Sequence, residues 1–416
     1  MSSTHARSET QELDAAGVRV LLRHNPANEV VAARVYVRGG SLHLSPDQAG
    51  VAPMFARTAR RGTDRFPKER LNAELARTGA DIDASAGEDF TVFRLRCLRR
   101  HFDTAWAIFT DVLLQPRLEA REIDIVRQQM LAGIRQRNDS PDGRLAQIAR
   151  EQVYAGHPYA ADPNGTESSV ANLTAADLRA HMQRGLDRRN LLVVAVGDLA
   201  PGDIADRVRA AFGSCPDVAE LAAVPALRYA RTDLRVEARD LPTNYIIGQF
   251  TVPALHSPDY PATQLAMSIL RDRFFEEVRT KRNLSYAPAA GIGNNAANLG
   301  FVYVTAVDPV TTMGVMLDEM RRLRDRPLER KDLDDKVRVY VTRYYLQNES
   351  NQAQSGFLGT YELLGGGWQR SREFVQRLQA LTPMDVQRAA AAALRHVQYT
   401  YLGNPEKARA DVFVDP

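Results

Sequence analysis

The 416-residue chain is 44% hydrophobic and 25% charged with a net charge of +3, proportions that suit a soluble globular protein and exclude a disordered, fibrous or collagen-like one. Its 54 Lys and Arg and 51 Asp and Glu are interspersed, and no basic block with interleaved aromatics marks a nucleic-acid site. No window approaches the ~18 apolar residues of a membrane span.

The first thirty residues, MSSTHARSETQELDAAGVRVLLRHNPANEV, lack the uninterrupted apolar core of a secretory signal, so the expected compartment is the cytoplasm, or the periplasm if a signal peptide has been removed. RVLLRH and VVAARVYVRG then run apolar or alternate as strands. GVAPMFARTARRGT, Gly50 to Thr63, follows as a helix with no residue able to hold a metal or attack a bond. SAGEDFTVFRLRCL alternates from Phe90 onward as a strand. HFDTAWAIFTDVLL and AREIDIVRQQMLAGIRQRN carry apolar residues at helical spacing, and NLLVVAVGDL is a β-rich run stopped by Gly197.

The pattern then recurs. LTAADLRAHMQRGLDRRNLLVVAVGDL (Leu173 to Leu199) and LTPMDVQRAAAAALRHVQYTYLGN (Leu381 to Asn404) share a Leu-Thr helix start, a following Asp, an amphipathic helix and an apolar run ending at Gly. RLEAREIDIVRQQMLAGIRQRNDS (Arg117 to Ser140) parallels PLERKDLDDKVRVYVTRYYLQNES (Pro327 to Ser350) at a similar offset. Self-similarity at a fixed offset indicates a tandem duplication. The expected domains are 1–220 and 221–416, joined in the Ala- and Pro-rich segment Ser214 to Asp233. Strands mixed with helices without strict alternation define an α+β fold; each half is expected to be an antiparallel sheet covered by helices.

Local motifs exclude several chemistries. Leu364 to Arg370, LLGGGWQR, lacks the Gly-Lys-Ser/Thr of a phosphate loop, so Gly365 to Gly367 are read as a flexible connection. The histidines at 5, 24, 43, 101, 157, 181, 256 and 396 include no pair one helical turn apart, and His157 in YAGHPYAADPNGT is read as a structural loop residue. Cys97 and Cys215 lie far apart and neither flanks a second Cys, which argues for buried free thiols. No G-x-S-x-G marks a nucleophile elbow.

The layout of paired glycines, GVAPMFARTARRGT, and LNAELARTGADIDASAGEDFTVF resembles the inverted-zincin peptidases, the family of insulysin, pitrilysin, mitochondrial processing peptidase and small bacterial two-subunit enzymes. Active members carry H-x-x-E-H on the first long helix, two His for zinc and a Glu as general base. On that resemblance the first His falls at Pro53, the Glu at Ala56 and the second His at Arg57. The third ligand, a Glu on a later helix, falls at Gln129, with Gln128 one step away. Two side chains without donors, a cation and a neutral amide make a poor site for a divalent ion, so no metal is expected in this chain.

FFEEVRTKRNLSYAPAAG, Phe274 to Gly291, resembles the family's other signature, Arg279 followed by Leu284 and Tyr286. In the family this Arg and Tyr reach the substrate backbone from the half or subunit opposite the zinc. The resemblance implies that Tyr286 donates to the developing oxyanion and Arg279 holds a neighbouring carbonyl, with Leu284 in the substrate-binding set. It also implies a substrate strand added to a sheet edge in a clam-shell cavity, near GADIDASAGED (Gly79 to Asp89) in the first half.

The function so implied is that of a bacterial zinc-free subunit, inactive alone. It would form half of a clam-shell heterodimer with a homologous H-x-x-E-H subunit that holds the zinc and hydrolyses peptides. The competing readings are a non-enzymatic scaffold of the same fold and a substrate-recognition subunit.

Overall fold

The computed structural model describes residues 9–42, 44–218 and 223–416. His5, His43 and the expected boundary at residue 220 lie outside the described residues. The strands are β1 (Thr10–Ala15), β2 (Val18–His24), β3 (Val30–Arg38), β4 (Asp81–Ala86), β5 (Phe90–Leu98), β6 (Leu191–Gly197), β7 (Asp233–Ala238), β8 (Asn244–Thr251), β9 (Ala289–Ile292), β10 (Leu299–Ala306) and β11 (Gln398–Gly403). The first helices are α1 (Val51–Ala59), α2 (Lys68–Thr78), α3 (Phe102–Leu114), α4 (Ala120–Asp139), α5 (Pro141–Val153), α6 (Glu167–Asn172), α7 (Ala175–Gly185) and α8 (Pro201–Phe212). They are followed by α9 (Tyr260–Phe274), α10 (Pro309–Asp325), α11 (Arg330–Gln347), α12 (Asn351–Leu364), α13 (Arg370–Gln379) and α14 (Pro383–Ala393).

Two sheets result, with strand orders β1-β2-β6-β3-β5-β4 and β7-β11-β8-β10-β9. Both are mainly antiparallel, and each contains one parallel pairing, β2 with β6 and β7 with β11. In each repeat the returning strand therefore enters the middle of its sheet. The α+β fold follows the hydrophobic pattern closely: the segments that alternate become strands and those at helical spacing become α3 and α4.

The chain divides into two compact units that do not follow chain order. The first comprises the described residues of Met1–Ile134, Ala161–Ala223 and Gln347–Thr360; the second comprises Arg135–Ala160, Val224–Leu346 and Tyr361–Pro416. Each unit thus takes in a segment from the other repeat. The cause is visible on the sheet faces.

In the first unit, Val31, Ala33 and Val35 of β3 join a core with Phe102, Trp106 and Phe109 of α3. The opposite face of β3 presents Arg34 and Tyr36, and the start of α12 covers it. Arg34 Nε donates to Ser355 Oγ at 2.9 Å and its Nη2 to the Gln352 carbonyl at 2.8 Å. Asn351 Nδ2 donates to the Val30 carbonyl at 2.6 Å. Gly359 permits the approach, because a Cβ there would lie 2.4 Å from the Tyr36 ring, well inside van der Waals contact.

The second unit repeats the device. Ile246 and Phe250 of β8 face a core with Leu265, Ile269 and Phe274 of α9. On the other face α5 packs Leu145 and Ile148 with Leu402 and Ile247, and Arg144 makes a forked pair with Glu237, Nε to Oε1 at 2.7 Å and Nη2 to Oε2 at 2.5 Å. Helices α5 and α12 begin directly after the matching NDS and NES segments, so the repeats contribute equivalent helices to each other's unit.

Three local expectations meet the structure here. Cys97 is buried, and burial pushes its thiol up to about 12, whereas Cys215 is only partly buried. His157 is structural: it bonds the Pro225 carbonyl through Nε2 at 2.9 Å and accepts from the Tyr159 amide at 3.1 Å. Gly365 to Gly367 form a built turn and not a flexible connection. The amides of Gly365 and Gly367 both donate to the Tyr361 carbonyl, at 2.8 and 3.1 Å, and the Trp368 amide donates to Glu362. This arrangement caps the end of α12.

Candidate functional site

Helix α1 begins after Gly50, whose φ of 87° suits glycine, and carries Pro53 in its first turn, where a missing N–H costs no helical bond. Pro53 and Ala56 are buried, while Arg57 is exposed. Arg57 and Gln129 line one cavity of about 510 Å³, together with Arg60, Arg61 and Lys68. The positions that resemblance assigns to the second histidine and the distal glutamate thus meet in space, with Pro53 and Ala56 packed away beneath them.

The cavity is built for negative charge. Four of its lining residues are cations and none is acidic. Two are tied down by Glu122 at the start of α4, a buried carboxylate that accepts from Lys68 Nζ at 2.6 Å and from Arg61 Nη1 at 2.8 Å. The Lys68 bond, with Arg61 beside it, holds the Glu122 carboxyl below its ordinary value despite burial. Arg61 Nη2 also donates to Gln129 Oε1 at 3.2 Å, and Arg60 Nη1 donates to the Ile82 carbonyl of edge strand β4 at 2.8 Å. Arg57 makes no hydrogen bond or ion pair among the described residues.

Zinc does not fit this donor set. Pro53 and Ala56 supply no lone pair, Arg57 repels a cation and Gln129 offers only a neutral amide oxygen already engaged by Arg61. Among the described residues no group of three or more His, Cys, Asp or Glu side chains could hold a metal ion. Glu122 was not singled out by the sequence reading. The signal was present in the basic run ARRGT and an acidic residue in the first turn of a long helix, but neither reveals the ion pair by itself.

The second constellation lies at the end of α9, which passes into a π-helical turn, Phe275–Thr280. Such turns are uncommon and concentrate at functional sites. The wider winding is visible in the Lys281 amide donating to the Glu276 carbonyl at 2.9 Å and the Leu284 amide to the Val278 carbonyl at 2.9 Å. Asn283 takes a positive φ of 51° to close it, a conformation asparagine tolerates. Within the turn, Glu277 accepts from Lys281 at 2.7 Å and from Arg282 at 2.5 Å. These bonds, Lys281 first, lower the Glu277 carboxyl.

Inside this frame Arg279 and Tyr286 meet. The Arg279 guanidinium lies 4.1 Å from the Tyr286 ring centroid and 4.8 Å from that of Phe275, well within cation–π range. Tyr286 is 78% exposed, and neither polar end has a hydrogen-bond or ion-pair partner among the described residues. Leu284 between them packs against the hydrophobic core of its unit. Three residues after Tyr286 the chain enters β9, the edge of the second sheet.

Comparison with known proteins agrees with this architecture. Residues 19–166 match the model of Insulinase (Peptidase family M16) and residues 172–340 that of the Peptidase M16 inactive domain. An uncharacterized zinc protease of Bacillus subtilis, YmxG, is 20% identical over 88% of this chain and 90% of its own length. The probable mitochondrial-processing peptidase subunit beta of Schizosaccharomyces pombe is 21% identical over 61% of this chain and 57% of its own. Subunit 1 of the mitochondrial cytochrome b-c1 complex of Rattus norvegicus is 22% identical over 57% of this chain and 50% of its own. The crystal structure of a peptidase M16 inactive domain from Pseudomonas fluorescens superposes with a TM-score of 0.86 at 23% identity, covering 95% of this chain and 98% of that one. The chain belongs to the M16, or inverted-zincin, peptidase family. No helix among the described residues is long and apolar enough to cross a membrane.

Proposed function

We propose that this chain is the zinc-free subunit of a two-subunit metallopeptidase. A homologous partner with an intact H-x-x-E-H helix holds the zinc and activates water; this chain supplies Arg279 and Tyr286 to the bound peptide. The observation that carries the reading is the stacked Arg279–Tyr286 pair, with Tyr286 exposed, Arg279 partly buried against its ring, and both polar ends uncommitted among the described residues.

The chemistry suits the geometry. The Tyr286 phenol donates to the oxygen whose charge grows as the carbonyl becomes tetrahedral. The Arg279 fork, held against that ring, takes a neighbouring backbone carbonyl and fixes the peptide's register. Leu284 anchors the loop between them, and the π turn sets its depth. The chain alone hydrolyses nothing, because the first repeat lacks a donor set for metal.

The likeness to a cytochrome b-c1 subunit favours a second reading, a scaffold of the same fold. One assay separates the two: cleavage of a quenched fluorogenic peptide by this chain alone, an H-x-x-E-H homologue alone, their mixture, and the mixture carrying Tyr286→Phe. Activity confined to the mixture, reduced about 100- to 1,000-fold by the substitution, is expected. Full activity of the homologue alone, or a mixture indifferent to Tyr286→Phe, would overturn the split site in favour of the scaffold.

A further inference from the structure

In the first unit, a cavity stands where a metal site would be, and its electrostatics are reversed. We propose that it is an oxyanion-binding site, taking a carboxylate or phosphate group carried on an apolar body, with Arg57 and Arg60 as its principal donors. The inference stands on the cavity alone and does not depend on the split-site reading.

Arg61 and Lys68 share the single carboxylate of Glu122, so their combined charge is only half neutralised. Arg57 has no partner among the described residues, and Arg60 is engaged at Nη1 by the Ile82 carbonyl while its buried Nε finds no acceptor. That Nε is sealed from the recess, so an entering anion meets the whole fork of Arg57 and the Nη2 end of Arg60, neither of which has an acceptor among the described residues. The arrangement therefore leaves positive charge and undirected donors together in a recess of about 510 Å³, a volume typical of small-molecule sites.

The apolar part of the lining sets the rest of the ligand. Leu71, Leu75 and Val112 also line the recess, and Leu75, only partly buried, offers an aliphatic group on the anion a surface to pack against while its charge meets the arginines. Bidentate recognition of carboxylate or phosphate is what the guanidinium fork does best. A divalent cation, by contrast, meets net repulsion on entry.

The test uses the full chain and three probes in calorimetric titrations at low ionic strength: inorganic phosphate, N-acetylleucine and N-acetylleucine amide. Saturable binding of N-acetylleucine or phosphate is expected, weakened about tenfold or more by Arg57→Ala and abolished by Gln129→Glu, which keeps all four cations but places a carboxylate among them. Raising the salt concentration weakens it further. Tighter binding of N-acetylleucine identifies an organic carboxylate as the ligand class, and tighter binding of phosphate identifies a phosphate ester. No saturable binding of either anion, equal binding of the amide and the acid, or affinities unmoved by both substitutions would overturn the proposal. Arg57 is exposed and Gln129 lies at the cavity wall, and melting curves of both variants confirm that a lost heat reflects the site and not the fold.

Discussion

The first repeat and the second have kept opposite things. At α1 the backbone frame is intact, with a glycine start, a buried underside and a cavity above, yet the side chains facing that cavity carry the wrong charge for a metal. At the π turn after α9 the frame is locally unusual, but Arg279 and Tyr286, which the proposed function assigns to a peptide, stack on each other with no hydrogen-bond or ion-pair partner among the described residues. Packing constrains the buried face of a helix while chemistry depends on a few residues on the other face, so a fold and the chemistry of its sites vary separately. The two sites also differ in how they are held: Glu122 ties two cations of the first cavity to its wall, whereas Glu277 pairs with Lys281 and Arg282 and not with Arg279.

The largest effect that would break this contrast is the loss from Tyr286→Phe in the mixed enzyme. Arg279 comes next. Arg279→Ala removes a charged donor to a carbonyl, and peptide cleavage by the mixture is expected to fall about ten- to a hundredfold. Arg279→Lys, which keeps the charge but loses the fork, should recover only part of it. The same substitutions leave the melting temperature of the isolated chain nearly unchanged, because the pair is at the surface. A large drop in melting temperature with unaltered cleavage would make Arg279 a structural residue and erase the difference between the repeats.

The exchanged helices offer a purely structural comparison. Gly359→Ala places a methyl group against Tyr36, and overpacking of this kind costs about 1–3 kcal/mol. On a unit of this size that lowers the melting temperature by roughly 2–4 °C per kcal/mol, measurable by scanning calorimetry. Gly202→Ala, where a Cβ meets nothing within 4 Å, should be neutral or slightly stabilising through helix propensity.

Much of this was legible before the structure. Strand alternation at Phe90–Leu98 and helical spacing in α3 and α4 reflect burial on one face, and burial is what a hydrophobic pattern encodes. The paired segments ending at Ser140 and Ser350 announce the duplication. What the pattern does not encode is destination: an amphipathic helix such as α5 or α12 shows that it covers a sheet, not which sheet, so the exchange between units was invisible. The parallel pairs β2–β6 and β7–β11 were hidden for the same reason, since strand order is a property of the whole sheet. At the candidate sites, Arg57 and Gln129 could be placed only through a resemblance, and Glu122 emerges only once α2 and α4 are brought together. The π turn was not anticipated from the sequence; its wider winding appears only in the bond from the Lys281 amide to the Glu276 carbonyl.

The smallest expected effect concerns that Glu122 pair. Its carboxyl is held below the ordinary value of 4.5 by the Lys68 hydrogen bond first and by Arg61 second. The unfolded chain therefore binds the proton more readily than the folded one, and the contribution is fully present above about pH 4.5 and lost as pH falls through the lowered folded value. Hydrogen bonds to a charged group are worth about 1.5–3 kcal/mol. Lys68 is 36% exposed, so solvent screening brings the expected contribution down to about 1 kcal/mol. Glu122→Gln should lower the melting temperature at pH 7 by a few degrees and flatten its decline as the pH falls below about 4.5. The same substitution releases Arg61 and Lys68 into the cavity, so anion binding there should strengthen as stability falls. The two readouts moving in opposite directions would show that Glu122 partly neutralises the first cavity. A variant whose melting curve keeps the parental pH dependence would instead assign the acid sensitivity to other carboxylates, such as Asp177 or Asp385 in their capping boxes.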